Sequence, residues 1–201
     1  MKPIFIEKFL PEEILNLCHN YCLLKYNNQA DFIEDSSGSI IKEFADPLME
    51  TLLDMSTPVI EQNVGKKLWP TYSFLRIYDK GADLPVHVDR PACEYTVALC
   101  LGANPTEKPY EIYIGHEDND SDYQYIDNTK QMKHLKKDYT FPMLPNNAVL
   151  FQGQTAEALH WREKCLHDYY ITVFIHYVDQ NGKHKEWKFD KRESLGDPDL
   201  N

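Results

Sequence analysis

In "LPVHVDR", His87 and Asp89 stand two residues apart, after a turn at Gly81 and before a β-rich run. Side chains of an extended segment alternate with period two, so this imidazole and this carboxylate point to the same side. Together they make two-thirds of a facial site for a divalent metal, and the third ligand must come from elsewhere. The other histidines are 19, 116, 134, 160, 167, 176 and 184. His160 is the best partner, because "PNNAVLFQGQTAEALHW" reads as a turn, a buried strand, a small-residue loop and then the histidine. His116, behind "EIYIG", competes with it, and His176 on the last long strand reads as a packed histidine. Two neutral imidazoles and one carboxylate, with the opposite face vacant, suit a non-haem Fe(II) centre open to O₂ and a chelating ligand.

These residues need a scaffold, and the chain of 201 residues is long enough for one core with a small appendage. Hydrophobic residues make up 42%, which fits a globular protein. Lys plus Arg number 21 against 32 Asp plus Glu, a formal charge of −11, which disfavours direct nucleic-acid binding. Apolar runs are too short for a membrane span, and "MKPIFIEKFLPEE" lacks the apolar core of a signal peptide. The five cysteines contain no CxxC pair; Cys18 and Cys22, four apart on an expected helix, read as small core residues. A reducing, cytoplasmic setting is the resulting expectation.

The residues 1–68 read as a strand ("KPIFIEKF") and supporting helices. Pro11 opens the first helix, with Ile14, Leu17, Cys18, Tyr21 and Cys22 at helical spacing. A polar loop covers 27–39. Asp46-Pro47 caps a second helix whose inner face is Leu48, Leu52 and Met55, with Pro58 expected to end or kink it and Gly65 to stop it. The residues 69–190 change to strands: "TYSFLRIYD", "EYTVALCLG", "YEIYIGHE", "NAVLFQG" and "DYYITVFIHYVDQ". A polar, mobile stretch, "DNDSDYQYIDNTKQMKHLKK", interrupts them. Asn181-Gly182 signals a hairpin returning through "KEWKF", and 191–201 is a frayed polar tail. Helices followed by many short strands, without βαβ alternation, give a mainly β fold, a sandwich or barrel buttressed by N-terminal helices.

The sequence resembles the Fe(II)/2-oxoglutarate-dependent dioxygenases, in their prolyl-4-hydroxylase-like branch. "FLRIYDKGADLPVHVD" is similar to that branch's strand ending in Tyr, Gly turn and His-x-Asp. "YTVALCLG", with Thr96, resembles the following strand. "LPNNAVLFQGQTAEALH" resembles the turn, strand and distal His, which comes 71 residues after Asp89. "DYYITVFIHYVD" resembles the closing strand. The similarity spans 69–179, and "FIEKFLPEEIL" is similar to the family's lead-in. It implies a double-stranded β-helix, or jelly roll, with iron held by His87, Asp89 and His160 at one mouth. It further implies 2-oxoglutarate as cosubstrate, hydrogen-bonded by Tyr78, and hydroxylation of an amino acid, a prolyl-type residue or a small metabolite. Ascorbate is compatible as an accessory reductant, and the partner is a small-molecule or peptide substrate. Two other readings are a jelly-roll protein keeping a metal for binding or stability, and a cupin-like dioxygenase that does not use 2-oxoglutarate.

One position departs from the family. Its members place an Arg or Lys about ten residues beyond the distal His, where it pairs with the far carboxylate of 2-oxoglutarate. Here Tyr170 stands there, with Asp168 before it and Thr172 after it. Arg162, two residues past His160 and so on the ligand side, is the first candidate for the missing cation. Arg76, on the strand face of Tyr78, is the second, with Lys164 and Arg90 behind them. Arg90 also reads as a contact for a substrate carboxylate or as a salt bridge to Glu94. Trp161 reads as a core or rim residue, or as a pocket wall. The acidic loop 116–128 reads as solvated or as a lid, and lacks the ligand spacing and Gly of an EF-hand.

Overall fold

The computed structural model describes residues 1–28, 39–126, 132–155 and 158–197. Eleven strands and two α-helices follow in the order β1 (Ile4–Ile6), α1 (Glu12–Asn27), β2 (Ser39–Phe44), α2 (Pro47–Val64), β3 (Leu68–Asp79), β4 (Leu84–His87), β5 (Tyr95–Asn104), β6 (Tyr110–Glu117), β7 (Gln124–Ile126), β8 (Met132–Met143), β9 (Ala148–Phe151), β10 (Leu159–Arg162) and β11 (Tyr169–Asp179). They form a six-stranded sheet, ordered β1-β9-β5-β11-β3-β2, and a five-stranded one, β4-β10-β6-β8-β7. Every strand pairing is antiparallel. This is the expected mainly β jelly roll with helices against one side.

Alternation along β3 and β11 builds two cores. Leu75, Ile77, Val173 and Ile175 face outward and pack with Cys18, Cys22, Leu53 and Ile60 of the helices. Tyr78, Tyr170 and Phe174 face the other sheet and meet Leu84, Ile112, Ile114 and Met143 across the interior. With both faces covered, these strands are buried nearly throughout, and they are the rigid floor of the site. Cys18 and Cys22 are free thiols inside the helical layer, as expected.

Local chemistry explains the helix ends. The Asp46 carboxylate accepts from the backbone N–H of Leu48 and Met49, 3.0 and 3.1 Å away, two donors that the helix itself cannot satisfy. Gly65 ends α2 at φ 72°, a left-handed conformation that glycine adopts at little cost. Pro58 does not end the helix. It and Asp54, whose carbonyl loses a bond, are both exposed, so the unpaired carbonyl is open to solvent. The inner face is Met49, Leu52, Leu53, Ser56 and Ile60, while Met55 and, on α1, Leu17 turn outward.

Three segments differ from expectation. "DNDSDYQYIDNTKQMKHLKK" carries β7 and the first half of the long β8 after a turn, rather than being irregular throughout, and residues 127–131 of it lie outside the described ones. Of the polar loop expected at 27–39, residues 29–38 likewise lie outside. Among the described residues, no strand returns after β11. The Asp179 side chain accepts from the Asn181 N–H at 2.8 Å, and Lys185–Lys191 forms a 3₁₀ segment. Its end carries three consecutive left-handed residues, Phe189, Asp190 and Lys191, at φ 51°, 58° and 65°.

The chain beyond it is tied down as far as it is described. Arg192 is buried, donating to Glu50 Oε1 at 2.5 Å and to the Thr71 carbonyl at 2.9 Å. Breaking a buried ion pair leaves an uncompensated charge. Arg192→Leu is therefore expected to cost about 3–5 kcal/mol in a denaturant melt, with much of that loss recovered in the Glu50→Leu/Arg192→Leu double variant. No helix among the described residues is long and apolar enough to cross a membrane.

Candidate metal centre

β4 ends on His87, and Asp89 follows in the next loop. β10 crosses β4 so that His160 lies directly opposite His87. One ligand atom from each of His87, Asp89 and His160 lies within 4.8 Å of the others. His87 Nε2 and His160 Nε2 are each 3.5 Å from Asp89 Oδ1, and the two rings are 4.1 Å apart.

Backbone carbonyls set the tautomers. His87 Nδ1 lies 2.7 Å from the Pro85 carbonyl and His160 Nδ1 lies 3.0 Å from that of Ala158. A carbonyl can only accept, so both Nδ1 atoms carry the proton and both Nε2 lone pairs face the carboxylate. Burial alone would raise the Asp89 carboxyl, but the neighbouring imidazoles outweigh it and hold the group well below the usual carboxylate range. Burial lowers the His87 imidazole, which favours its neutral form. Three lone pairs thus converge with no proton among them, a donor set that fits a divalent cation.

A further chain orients the carboxylate. Thr96 donates its one hydroxyl proton to Asp89 Oδ2 at 2.8 Å and so accepts from His176 Nδ1 at 3.1 Å. Burial pushes His176 down to about 4, so it stays neutral in this role. Gly153 makes the close fit feasible: its carbonyl accepts from the Asp89 N–H at 2.8 Å, and a Cβ on it would come 2.1 Å from Asp89 Oδ2. The sequence signal for Gly153 was its place in the small-residue loop before His160; nothing local marked its contact with Asp89.

A second cluster surrounds Arg162, which is buried with its guanidinium over the rings of Tyr110 and Tyr170 at 4.9 and 5.0 Å. Arg162 Nη1 donates to the Tyr110 carbonyl at 2.7 Å. Its Nε and Nη2, together with the Tyr78 and Tyr170 hydroxyls, are buried and have no hydrogen-bond partner among the described residues. Leaving such groups unmet is costly. Burial raises both phenols, so each keeps a proton to donate. Donors of this number and charge fit a carboxylate, and Arg162 lies two residues along β10 from His160, a separation that a five-carbon diacid bridges.

The other candidates lie apart. His116 is half-exposed on β6 and pairs with Asp138 at 2.6 Å. Lys164 lines a separate surface cleft with Lys108 and His167. Arg90 pairs with Asp190 rather than Glu94, donating Nη1 and Nη2 to its two carboxylate oxygens at 2.7 and 2.6 Å. Glu94 instead accepts from the Asp179 N–H. Trp161 is fully buried, stacks with Tyr123 and meets the Tyr113 ring at a tilt, alternating away from the ligand side, so it is a core residue. Among the described residues, the acidic loop contributes no cluster able to hold a metal. In front of the triad opens a chamber of about 300 Å³, bounded by Phe74, Arg76, Arg90 and Phe174 among others.

No family model matches the sequence, and no curated protein matches it. Solved structures do. A prolyl-4-hydroxylase of Pseudomonas putida shares 13% identity at a TM-score of 0.58, over 88% of this chain and 92% of its own. The non-heme alpha-ketoglutarate-dependent carbocyclase SnoK of nogalamycin biosynthesis shares 14% at 0.61, over 99% and 89%. The viral collagen prolyl hydroxylase of Paramecium Bursaria Chlorella virus-1, solved with 2OG, shares 12% at 0.57, over 88% and 95%. The fold is therefore the one on which such oxygenases are built.

Proposed function

We propose that this chain is an Fe(II)- and 2-oxoglutarate-dependent dioxygenase that hydroxylates an unactivated C–H bond. The observation that carries the reading is the pairing of two clusters: three converging lone pairs on His87, Asp89 and His160, and beside them the donors of Arg162, Tyr78 and Tyr170 that no described residue meets. The first suits Fe(II), and the second suits the far carboxylate of the cosubstrate. Bound Fe(II) with 2-oxoglutarate supplies the activation of O₂, with succinate and carbon dioxide as by-products.

The protein's own residues do the holding and the shielding. Pro85 and Ala158 carbonyls lock the imidazoles, and Thr96 fixes one oxygen of Asp89 so that the other faces the ligand position. Arg162 replaces the cation that the family carries about ten residues beyond its distal histidine; Tyr170 fills that place and adds a hydroxyl to the same cluster. Arg is the fitting donor because its planar fork matches a carboxylate. Phe74 and Phe174 close the chamber with apolar surface, which excludes water from the reacting face.

The similar structures include a prolyl hydroxylase from Trichoplax adhaerens in complex with a hypoxia inducible factor peptide fragment as well as SnoK. Both peptide and small-molecule substrates therefore enter the test. Oxygen-dependent conversion of 2-oxoglutarate to succinate, screened with amino acids, small metabolites and prolyl peptides, should be stimulated by at least one class. Failure of the iron-loaded protein to consume 2-oxoglutarate under any of them would count against the reading.

A further inference from the structure

Behind the chamber wall lies a small separate core of Tyr72, Ala92 and Cys93, with Phe44, Phe74 and Trp187 packed against it. β3 brings Tyr72 to this core, and the short 3₁₀ turn Pro91–Cys93, which follows Asp89 and Arg90 directly, brings Cys93. The Tyr72 hydroxyl oxygen and Cys93 Sγ are 3.1 Å apart, and both residues are buried. The sulfur contacts of Cys100 and Cys165 are looser, at 3.8 and 3.9 Å. The Tyr72 ring is also held in place, with the Arg90 guanidinium 4.4 Å away over it and the Phe44 ring at 5.2 Å.

Two observations tie this pair to the metal centre. Tyr72 lines the chamber in front of His87, Asp89 and His160, and its ring lies 4.5 Å from that of His176. Cys93 Sγ lies within 4.8 Å of a carboxylate oxygen of Asp89 and a ring nitrogen of His176. Those three atoms do not make a second metal site, because Thr96 already bridges Asp89 Oδ2 and His176 Nδ1. Among the described residues, no other cysteine groups with one of the triad in this way. Thiols and phenols are among the side chains that give up electrons most easily. Here one of each stands in contact beside a centre suited to activating O₂.

We propose that Tyr72 and Cys93 become joined by a thioether, made by the protein's own oxygen chemistry when O₂ is activated with no primary substrate in the chamber. This rests on the oxygenase reading, which supplies the oxidant. The new bond links Cys93 Sγ to the ring carbon next to the Tyr72 hydroxyl. The thiol S–H and that ring C–H break, and their two electrons and two protons reduce one oxygen atom of O₂ to water. The other oxygen atom enters 2-oxoglutarate, which leaves as succinate and carbon dioxide. The link fastens β3 to the turn that follows Asp89 and makes Tyr72 a fixed wall of the chamber.

The test starts from protein produced without oxygen, then supplied with Fe(II), 2-oxoglutarate and O₂ and no primary substrate. The chain is afterwards unfolded, fully reduced and alkylated for mass spectrometry, so that no disulfide survives to imitate the link. The wild type should be lighter by two hydrogen atoms, expose four alkylatable thiols of its five cysteines, and yield a joined peptide pair holding Tyr72 and Cys93. Tyr72→Phe should keep all five thiols, and Cys93→Ser should keep its remaining four and show no mass loss. His87→Ala should stay unlinked; a link formed there overturns the inference, because the metal centre did not make it. Succinate measured in the same incubation separates the two readings. Succinate with an unchanged chain, or with an oxygen atom added to Tyr72 or Cys93 instead of the link, overturns this inference alone. No succinate at all strikes the oxygenase reading, and this inference with it.

Discussion

Alanine in place of any one of His87, Asp89 or His160 is expected to abolish stoichiometric Fe(II) binding while the protein stays folded. Each supplies one of the three converging atoms, and all three side chains stand on the interior edge of the fold rather than in its tightly packed centre. Losing even a residue that merely orients a ligand costs roughly 10- to 100-fold in metal affinity, so loss of a ligand itself should exceed about 100-fold. Metal content after dialysis, with circular dichroism to show the fold, measures this. His116→Ala serves as the control. Its imidazole pairs with Asp138 away from the cluster, so iron content should not change. Full metal retention in any ligand variant would remove that residue from the centre.

Arg162→Gln is expected to raise the 2-oxoglutarate requirement by about 30- to 700-fold, with iron content little altered. The range follows from removing one partner of a buried, charged hydrogen-bonded contact, about 2–4 kcal/mol, at 1.4 kcal/mol per decade. Glutamine keeps a donor for the Tyr110 carbonyl and fills much of the space, which guards the fold at a fully buried position. Arg76→Gln should leave the 2-oxoglutarate requirement within a few-fold of wild type. The reverse pattern would move the anchor to β3, and no effect from either would detach the cosubstrate from this protein.

The cluster of His87, Asp89 and His160 could be read from the sequence because a two-residue spacing in a strand, and a turn–strand–loop before a histidine, are local patterns. The central strands β3, β5, β6, β9 and β11 were legible for the same reason, being dense in β-branched and aromatic residues. β8 was not: "KHLKKDY" looks like a solvated loop, since this strand is mostly half-buried or exposed and has no apolar stripe. β4 and β10, four residues each, are too short to show a period, although they carry His87 and His160.

Long-range pairings were the least readable. Arg162 stood out by its spacing from His160, but the carbonyl that steadies it belongs to Tyr110, 52 residues earlier. Glu94 seemed the natural partner for Arg90 because it is near in sequence, yet Asp190, 100 residues on, takes it. The turn that delivers Asp190 contains no glycine, so nothing local announced its left-handed backbone. Tyr170 looked like a gap in the family pattern until the fold placed its ring under the Arg162 guanidinium, 5.0 Å from it.

The most direct measurement is the visible spectrum of the anaerobic protein with Fe(II), before and after 2-oxoglutarate is added. A weak metal-to-ligand charge-transfer band should appear on addition in the wild type, require more 2-oxoglutarate in Arg162→Gln, and be absent from His87→Ala, Asp89→Ala and His160→Ala. Fe(II) that binds wild type without any spectral change on adding 2-oxoglutarate would contradict a shared site for metal and cosubstrate.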